Sequence, residues 1–167
     1  MPNMSNIHRS ALVQELAQTP ERLAALVAAL PADSLATKPS PAEFSAREHV
    51  HHLRDLDAEA WSVRLERLLV EDGPEMAGID GDRLARERRY NERGHEQALS
   101  ELMRLRSASV ARLQSLADAD WIRAGTLESA GRVTVERLAE IWLEHDRGHL
   151  GDLEALARRG VTGAPRP

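Results

Sequence analysis

The sequence predicts an all-α protein, namely a four-helix bundle with a long connection between helices two and three. Four stretches of the 167-residue chain repeat apolar residues every three or four positions, which is the period of an amphipathic helix. No stretch has the alternation of apolar and polar residues that predicts a strand. We therefore expect a single domain over residues 1–167, with mobile tails at 1–7 and 160–167.

The composition argues against several classes of function. A net charge of −5 and an aromatic content of 3% offer neither a basic surface for phosphates nor a stacking platform for bases, so nucleic acid is not an expected partner. No apolar run reaches about 18 residues, and the N-terminus lacks the apolar segment of a signal peptide, so we expect a cytoplasmic protein with no membrane partner. The chain has no cysteine, which excludes disulfides, thiolate ligands and a protein thiol nucleophile.

The first helix is predicted to be kinked. Its pattern begins at His8 and is interrupted at Thr19-Pro20, where Thr19 fits an N-cap and Pro20 fits the first position of a second helical segment. That segment ends before Pro31. Residues 31–43 hold three prolines and are predicted to form a connection.

The second helix begins with a capping box over residues 45–48, Ser-Ala-Arg-Glu. At about 100° per residue, His49 and His52 lie on the apolar side of this helix, whereas His51 lies about 160° away and is expected to face water. Asp55 lies one turn beyond His52, where it could orient a ring or a bound water. The alternative for Asp55 is an exposed helix acid.

Residues 71–94 form the long connection, in which glycines and a proline break the helical period and a run of charges indicates a solvated face. A connection of about twenty residues is longer than neighbouring antiparallel helices need, so it is predicted to cross over the bundle. The third helix is predicted from His95, taken as a surface residue, to Ala117. A loop over residues 118–133 follows, and Thr134 is predicted to cap the fourth helix.

The fourth helix carries two histidines on its apolar stripe. His145 and His149 lie one turn apart on the same face, so both rings can reach one ion. The alternative is a pair of neutral, hydrogen-bonded core histidines, and a third ligand would decide between the two. Gly148 costs a helix interior about 1 kcal/mol relative to alanine, which a close approach by another helix or a ligand would explain.

A third donor is available on the second helix. Side chains on facing helices build the metal sites of four-helix bundles, so His52 can join His145 and His149. Three protein ligands with open positions are typical of catalytic rather than structural metal sites. Imidazole suits zinc, nickel, iron and copper alike, so the predicted cofactor is a divalent metal, namely zinc, nickel or iron. His49 and Asp55 are predicted as outer residues that support the ligands.

The segment from His145 to His149 also approaches the His-Glu-x-x-His motif of zinc peptidases, in which the glutamate is the general base. Here the acid is Asp146, whose side chain is one methylene shorter and points about 100° away from His145. Peptidase chemistry is therefore not favoured. We expect Asp146 to cap a surface or to steady Arg147.

Three segments of the sequence resemble the DinB-like (YfiT-like) metalloenzyme family. Residues 44–55 are similar to its first motif, an aromatic residue and serine leading to His-Leu-x-Asp, although Phe44 stands where the family usually has tryptophan. Residues 131–138, GRVTVERL, resemble the Gly-x-x-Thr lead-in to the last helix, and residues 145–150, HDRGHL, resemble its His-x-x-x-His-Leu motif. The likeness covers about residues 8–158.

The resemblance implies a four-helix bundle with an unusual helix order, a homodimer, and metal ligands at His52, His145 and His149. Some members are thiol S-transferases or thiol-dependent isomerases that use low-molecular-weight thiols. The first hypothesis is therefore a metal-dependent enzyme that transfers such a thiol to a small electrophile or uses it in isomerisation. The alternative is a non-catalytic metal-binding or dimerising stress-response protein. A mouth from solvent to the metal would favour the enzyme, and a fourth protein ligand would favour the alternative.

Overall fold

The computed structural model describes the backbone of residues 4–162 and the side chains of residues 4–159. Residues 4–7 and 160–162, predicted to belong to the tails, are helical. The remaining residues of the predicted tails, 1–3 and 163–167, lie outside the described residues. Within residues 4–162, no helix has the length and apolar character that a membrane span requires.

The predicted four-helix bundle is confirmed. Its long helices are α1 (Met4–Ala28), α2 (Ala46–Leu56), α3 (Ser62–Val70), α5 (Glu96–Gln114) and α7 (Val135–Thr162). A π-helical turn over Asp57–Trp61 joins α2 and α3 into one long element. Helix α1 packs against α5 and α7, and α2 packs against the same two helices, so every bundle helix contributes to a shared core.

The start of α2 shows how the local sequence fixes the position of His52. The side chain of Ser45 accepts a hydrogen bond from the backbone N–H of Glu48, and the carboxylate of Glu48 accepts one from the backbone N–H of Ser45. This reciprocal capping box satisfies two of the free N–H groups at the helix start. The start of α2 is therefore defined one and a half to two turns before His52.

The first helix does not restart at Thr19, and this prediction is wrong. Helix α1 continues through Pro20, although proline cannot donate the backbone hydrogen bond that an interior position normally makes. Thr19 and Pro20 are buried, and Leu16 and Leu23 are fully buried on either side of them. Packing of both halves of α1 against α5 and α7 therefore outweighs the local preference for a break.

The expectation that the chain contains no strand is also wrong. Strand β1 (Glu75–Met76) pairs in parallel with β2 (Ala124–Leu127), and β2 pairs in antiparallel register with β3 (Gly131–Thr134), where Gly125 lies opposite Val133. Strands of two to four residues are too short to show an alternating pattern in the sequence. Gly125 is required in this sheet, because a Cβ atom there would lie 2.5 Å from the carbonyl oxygen of Pro74.

The connections contain further short helices. The long connection between α3 and α5 holds α4 (Gly81–Glu87) and a 3₁₀ turn (Tyr90–Glu92), and both contact α2. Helix α6 (Asp118–Trp121) precedes the β2–β3 hairpin. The side chain of Thr134 then accepts a hydrogen bond from the backbone N–H of Arg137, which confirms its predicted role as the cap of the last long helix.

The core has two apolar clusters. The first includes Leu16, Leu56, Trp61, Leu113 and Trp142. The second includes Leu23, Leu53, Leu102, Leu150 and Leu153. A buried charged residue separates the two clusters on each of two helices. It is Arg106 on α5 and Asp146 on α7.

Arg106 joins the four bundle helices through one guanidinium group. Its Nε and Nη2 atoms donate to the two carboxylate oxygens of Asp57, each at 2.9 Å, and its Nη1 donates to Asp146 at 2.6 Å and to the backbone oxygen of Leu16 at 2.8 Å. The expectation that Asp146 caps a surface is therefore wrong, because its side chain is fully buried against Arg106. Although burial opposes the charged form, Asp146 and Asp57 raise the pKa of Arg106 above its ordinary value.

Candidate metal centre

The structure brings together the three histidines that were predicted as metal ligands. His52 projects from α2, and His145 and His149 project from successive turns of α7. The Nε2 atom of His145 lies 3.1 Å from Nε2 of His52 and 3.1 Å from Nε2 of His149. Three imidazole nitrogens from two facing helices therefore converge on one point of the bundle.

These distances fit a shared divalent ion. Ligand nitrogens at about 2.1 Å from zinc lie about 3.0 to 3.4 Å apart for bond angles between octahedral and tetrahedral values. The outer nitrogens, Nδ1, of His52 and His145 are buried and have no hydrogen-bond partner among the described residues. Hydrogen bonds within the described residues therefore do not satisfy both nitrogens of these two rings, as they would in the alternative of ordinary core histidines.

Two rings of the cluster, those of His52 and His149, are held in the neutral form that a metal requires. Burial, reinforced by the neighbouring His145, lowers the pKa of His52 to about 3 and also lowers the pKa of His149 below its ordinary value. A neutral imidazole offers a lone pair without first losing a proton. Protons therefore compete weakly for these two rings at neutral pH.

Aromatic side chains fix the orientation of the rings. The ring of Phe44 stacks on His149 with an interplanar angle of 13° and meets His52 edge-on at 5.3 Å between centroids. Trp61 meets His145 edge-on at 5.5 Å. Edge-on and stacked contacts between aromatic rings are favourable, so these neighbours limit the rotation of the histidines.

The two predicted outer residues lie in different surroundings. His49 is buried, and its Nδ1 lies 2.8 Å from Nδ1 of His149. Asp55 is also buried, and its described partners are the hydroxyl of Tyr90, which donates at 2.5 Å, and the guanidinium groups of Arg88 and Arg54. His49 thus touches the ring of His149, a predicted ligand, whereas Asp55 links the long connection to α2.

The structure corrects the prediction that His51 and His95 lie at the surface. His51 is buried, stacks on Tyr90, and lies with Nε2 at 3.1 Å from the backbone oxygen of Gly94. His95 is partly buried, with 16% of its side chain exposed. For His51 the physical reason is the long connection, which covers the face of α2 that helical periodicity assigns to water.

Gly81 is a position beside the candidate site that helical periodicity does not single out. A Cβ atom at Gly81 would lie 2.4 Å from Cε1 and 2.9 Å from Nδ1 of His52, so the backbone of α4 packs directly against this ring. Gly148 gives the opposite result. No heavy atom outside its chain neighbours and the backbone of its own helix lies within 4 Å of a Cβ built there, so the predicted close approach at Gly148 is wrong.

These two glycines make a matched test of how His52 is positioned. Gly81→Ala should displace the His52 ring and weaken metal binding by about tenfold or more, the scale on which supporting contacts act. Gly148→Ala should leave metal affinity unchanged and raise the free energy of unfolding by up to about 1 kcal/mol. Competition with a chromophoric chelator measures the affinity of each variant. Equal affinities for the two variants would show that the contact at Gly81 does not position His52.

A cleft leads from the surface to the cluster. It has a volume of about 280 Å³, and its wall includes Phe44, His49, His149 and Asp152. His145 keeps 25% of its side chain exposed. Among the described residues, the three histidines form one group of candidate ligands, and a second group of His49, His149 and Asp152 shares His149 with it.

Asp146 cannot serve as the general base of a zinc peptidase in this arrangement. Its Oδ2 accepts from Arg106 inside the core, and its Oδ1 lies 4.0 Å from Nδ1 of His145, on the outer side of that ring. A general base must instead reach the position where a substrate or water meets the metal. The likeness to the peptidase motif is therefore confined to the spacing of the two histidines.

Comparison with known proteins identifies the family. The family model of the DinB superfamily matches residues 15–153, so the chain belongs to that superfamily and the predicted relationship is confirmed. The fold is also that of YfiT from Bacillus subtilis, with a TM-score of 0.84, 21% sequence identity, and coverage of 95% of this chain and 90% of that chain. YfiT is described as "a probable metal-dependent hydrolase with an unusual four-helix bundle topology". No curated protein sequence matches the chain.

Proposed function

We propose that the protein is a metal-dependent enzyme that acts on a small molecule, with His52, His145 and His149 as the protein ligands of one divalent ion. The observation that carries this proposal is the convergence of three Nε2 atoms beside a cleft that reaches the surface. When bound, a divalent ion supplies Lewis acidity, which lowers the pKa of a coordinated thiol or water.

The residues of the chain provide the ligands and the entry route. His149 belongs both to the cluster and to the wall of the cleft, so a molecule in the cleft lies next to the candidate metal position. Phe44 provides an apolar surface on this wall and packs against the ligand rings. The chain has no cysteine, so a sulfur nucleophile must be brought by a ligand. We therefore propose that a low-molecular-weight thiol is the nucleophile and that a small electrophile is its acceptor.

Hydrolysis is a second candidate, because the structural neighbour YfiT is described as a probable metal-dependent hydrolase. In that case water takes the place of the thiol. A non-catalytic metal site is less well supported, since structural zinc sites are normally closed by a fourth protein ligand. Among the described residues, the cluster offers three.

The test is a reaction screen with matched controls. The protein is loaded in turn with zinc, nickel or iron(II) and incubated with an epoxide, an alkyl halide or an activated ester, each with and without a panel of thiols. We expect consumption of an electrophile that requires both the ion and a thiol. The variant His8→Ala, which removes an exposed histidine bonded to Glu140, should retain this activity.

The other possible results of the screen distinguish the remaining functions. Ester cleavage that needs the ion but no thiol would support hydrolysis instead. Turnover that survives chelation would exclude both mechanisms. Inactivity with every thiol and ester, in protein that binds the ion, would favour the non-catalytic alternative.

A further inference from the structure

His49 is placed to control the protonation of one metal ligand. It projects from the first turn of α2, only 3% of the residue is exposed, and its Nδ1 lies 2.8 Å from Nδ1 of His149. One proton must lie between two nitrogens at this distance, so one ring donates and the other accepts. Which ring carries that proton depends on the role of the other nitrogen of His149, Nε2.

The geometry of the cluster determines which ring donates. The Nε2 atom of His149 faces Nε2 of His145 at 3.1 Å and belongs to the group of candidate ligands. A ring that binds a metal through Nε2 carries its proton on Nδ1. With a metal on Nε2, His149 would therefore donate from Nδ1, and Nδ1 of His49 would accept.

We infer that His49 is a positioning residue that accepts a hydrogen bond from His149 and holds that ligand in the metal-binding tautomer; this inference rests on the function proposed above. A side chain that accepts from the outer nitrogen of a ligand histidine fixes the orientation of the ring. His52 and His145 have no such partner for Nδ1 among the described residues. His149 is thus the ligand whose orientation depends most directly on another side chain.

The same hydrogen bond determines whether the second nitrogen of His49, Nε2, is a donor or an acceptor. With Nδ1 engaged as an acceptor, the neutral ring carries its own proton on Nε2. His49 also forms part of the cleft wall. A molecule in the cleft that reaches Nε2 of His49 would therefore meet a hydrogen-bond donor, which favours a ligand with an acceptor, such as a carbonyl or ether oxygen, at that place.

Metal affinity tests the positioning role with two variants of similar size. His49→Asn keeps an acceptor oxygen near the position of Nδ1, whereas His49→Leu removes it. Competition between each protein and a chromophoric chelator for zinc should show His49→Leu binding about 10 to 100 times more weakly than the parent. His49→Asn should remain within a few-fold of the parent, and His8→Leu should be unchanged. Circular dichroism checks that every variant is folded.

The proton positions provide a second readout that needs no variant. Long-range ¹⁵N–¹H NMR of the zinc-loaded parent should show His149 protonated on Nδ1 and His49 protonated on Nε2. A His49 ring protonated on Nδ1 would overturn the inference, and so would unchanged zinc affinity in a folded His49→Leu variant. A parent that binds no zinc would instead overturn the proposed function together with this inference.

A second ion is the competing explanation for the same residues. One nitrogen each from His49 and His149 and a carboxylate oxygen of Asp152 lie within 4.8 Å of one another. Two zinc ions per parent chain, reduced to one by Asp152→Asn, would show that His49 is a ligand and not an acceptor for His149. We expect one ion in both proteins.

Discussion

Replacing Arg106 with methionine is expected to lower the free energy of unfolding by about 3 to 5 kcal/mol, the cost of removing one partner from a buried ion pair. Asp57 and Asp146 would both remain in the core without the cation that neutralises them, and the backbone oxygen of Leu16 would lose its donor. Methionine retains much of the aliphatic volume of the arginine side chain. The loss of stability therefore measures mainly the removal of the charge and its hydrogen bonds. Urea unfolding followed by circular dichroism measures the change.

Arg112 provides a matched control on the same helix. Its guanidinium pairs with Glu66 at the surface, where solvent screens the charges, so Arg112→Met should change stability little. Equal effects of the two substitutions would contradict the view that Arg106 holds the four bundle helices together.

Replacing His149 with alanine is expected to weaken metal binding by more than about a hundredfold, since it removes a ligand and not merely a supporting contact. The ring lines the cleft, and its removal leaves every side chain of the two apolar clusters in place, so the bundle should remain folded. Elemental analysis after dialysis gives the metal content, and circular dichroism gives the helical content. An unchanged metal content would remove His149 from the proposed ligand set.

His51 and His95 are the controls for this experiment. Neither belongs to the candidate metal groups of the described residues, so alanine at either position should leave metal content unchanged. His51→Ala should still lower stability, because His51 is buried against Tyr90. Loss of metal in His51→Ala as complete as in His145→Ala would contradict the assignment of the ligands.

Much of the fold could be predicted because its signals are local. The capping box at Ser45 and the cap at Thr134 depend on residues three positions apart, and the long helices repeat their apolar residues over several turns. Strand β1 has two residues and exists only by pairing with β2, which lies about fifty positions later in the chain. Such a strand has no local signal. The continuity of α1 through Pro20 likewise depends on packing against distant helices.

Some residues of the candidate site could likewise be predicted from local patterns, and others could not. His145 and His149 share one helix, and His52 lies on the apolar side of another, so periodicity could bring all three together. The burial of His51 could not be predicted, because the face it occupies is covered by a connection whose path is not encoded in helical periodicity. The contact of Gly81 with His52 has the same origin.

The Arg106 network left a signal that could have been used. Arg106 lies four residues after Leu102 and seven before Leu113, on the buried stripe of α5, and Asp146 lies three residues after the buried Leu143. Charged residues at core positions of two helices are rarely tolerated unless they pair. Their opposite charges therefore predict an ion pair inside the bundle.

Anomalous diffraction at the zinc absorption edge, from crystals of the zinc-loaded protein, tests the central claim most directly. We expect one peak per chain, about 2.0 to 2.3 Å from the Nε2 atoms of His52, His145 and His149. A peak held by other side chains would contradict the three-histidine site. So would the absence of a peak between these rings in zinc-soaked crystals.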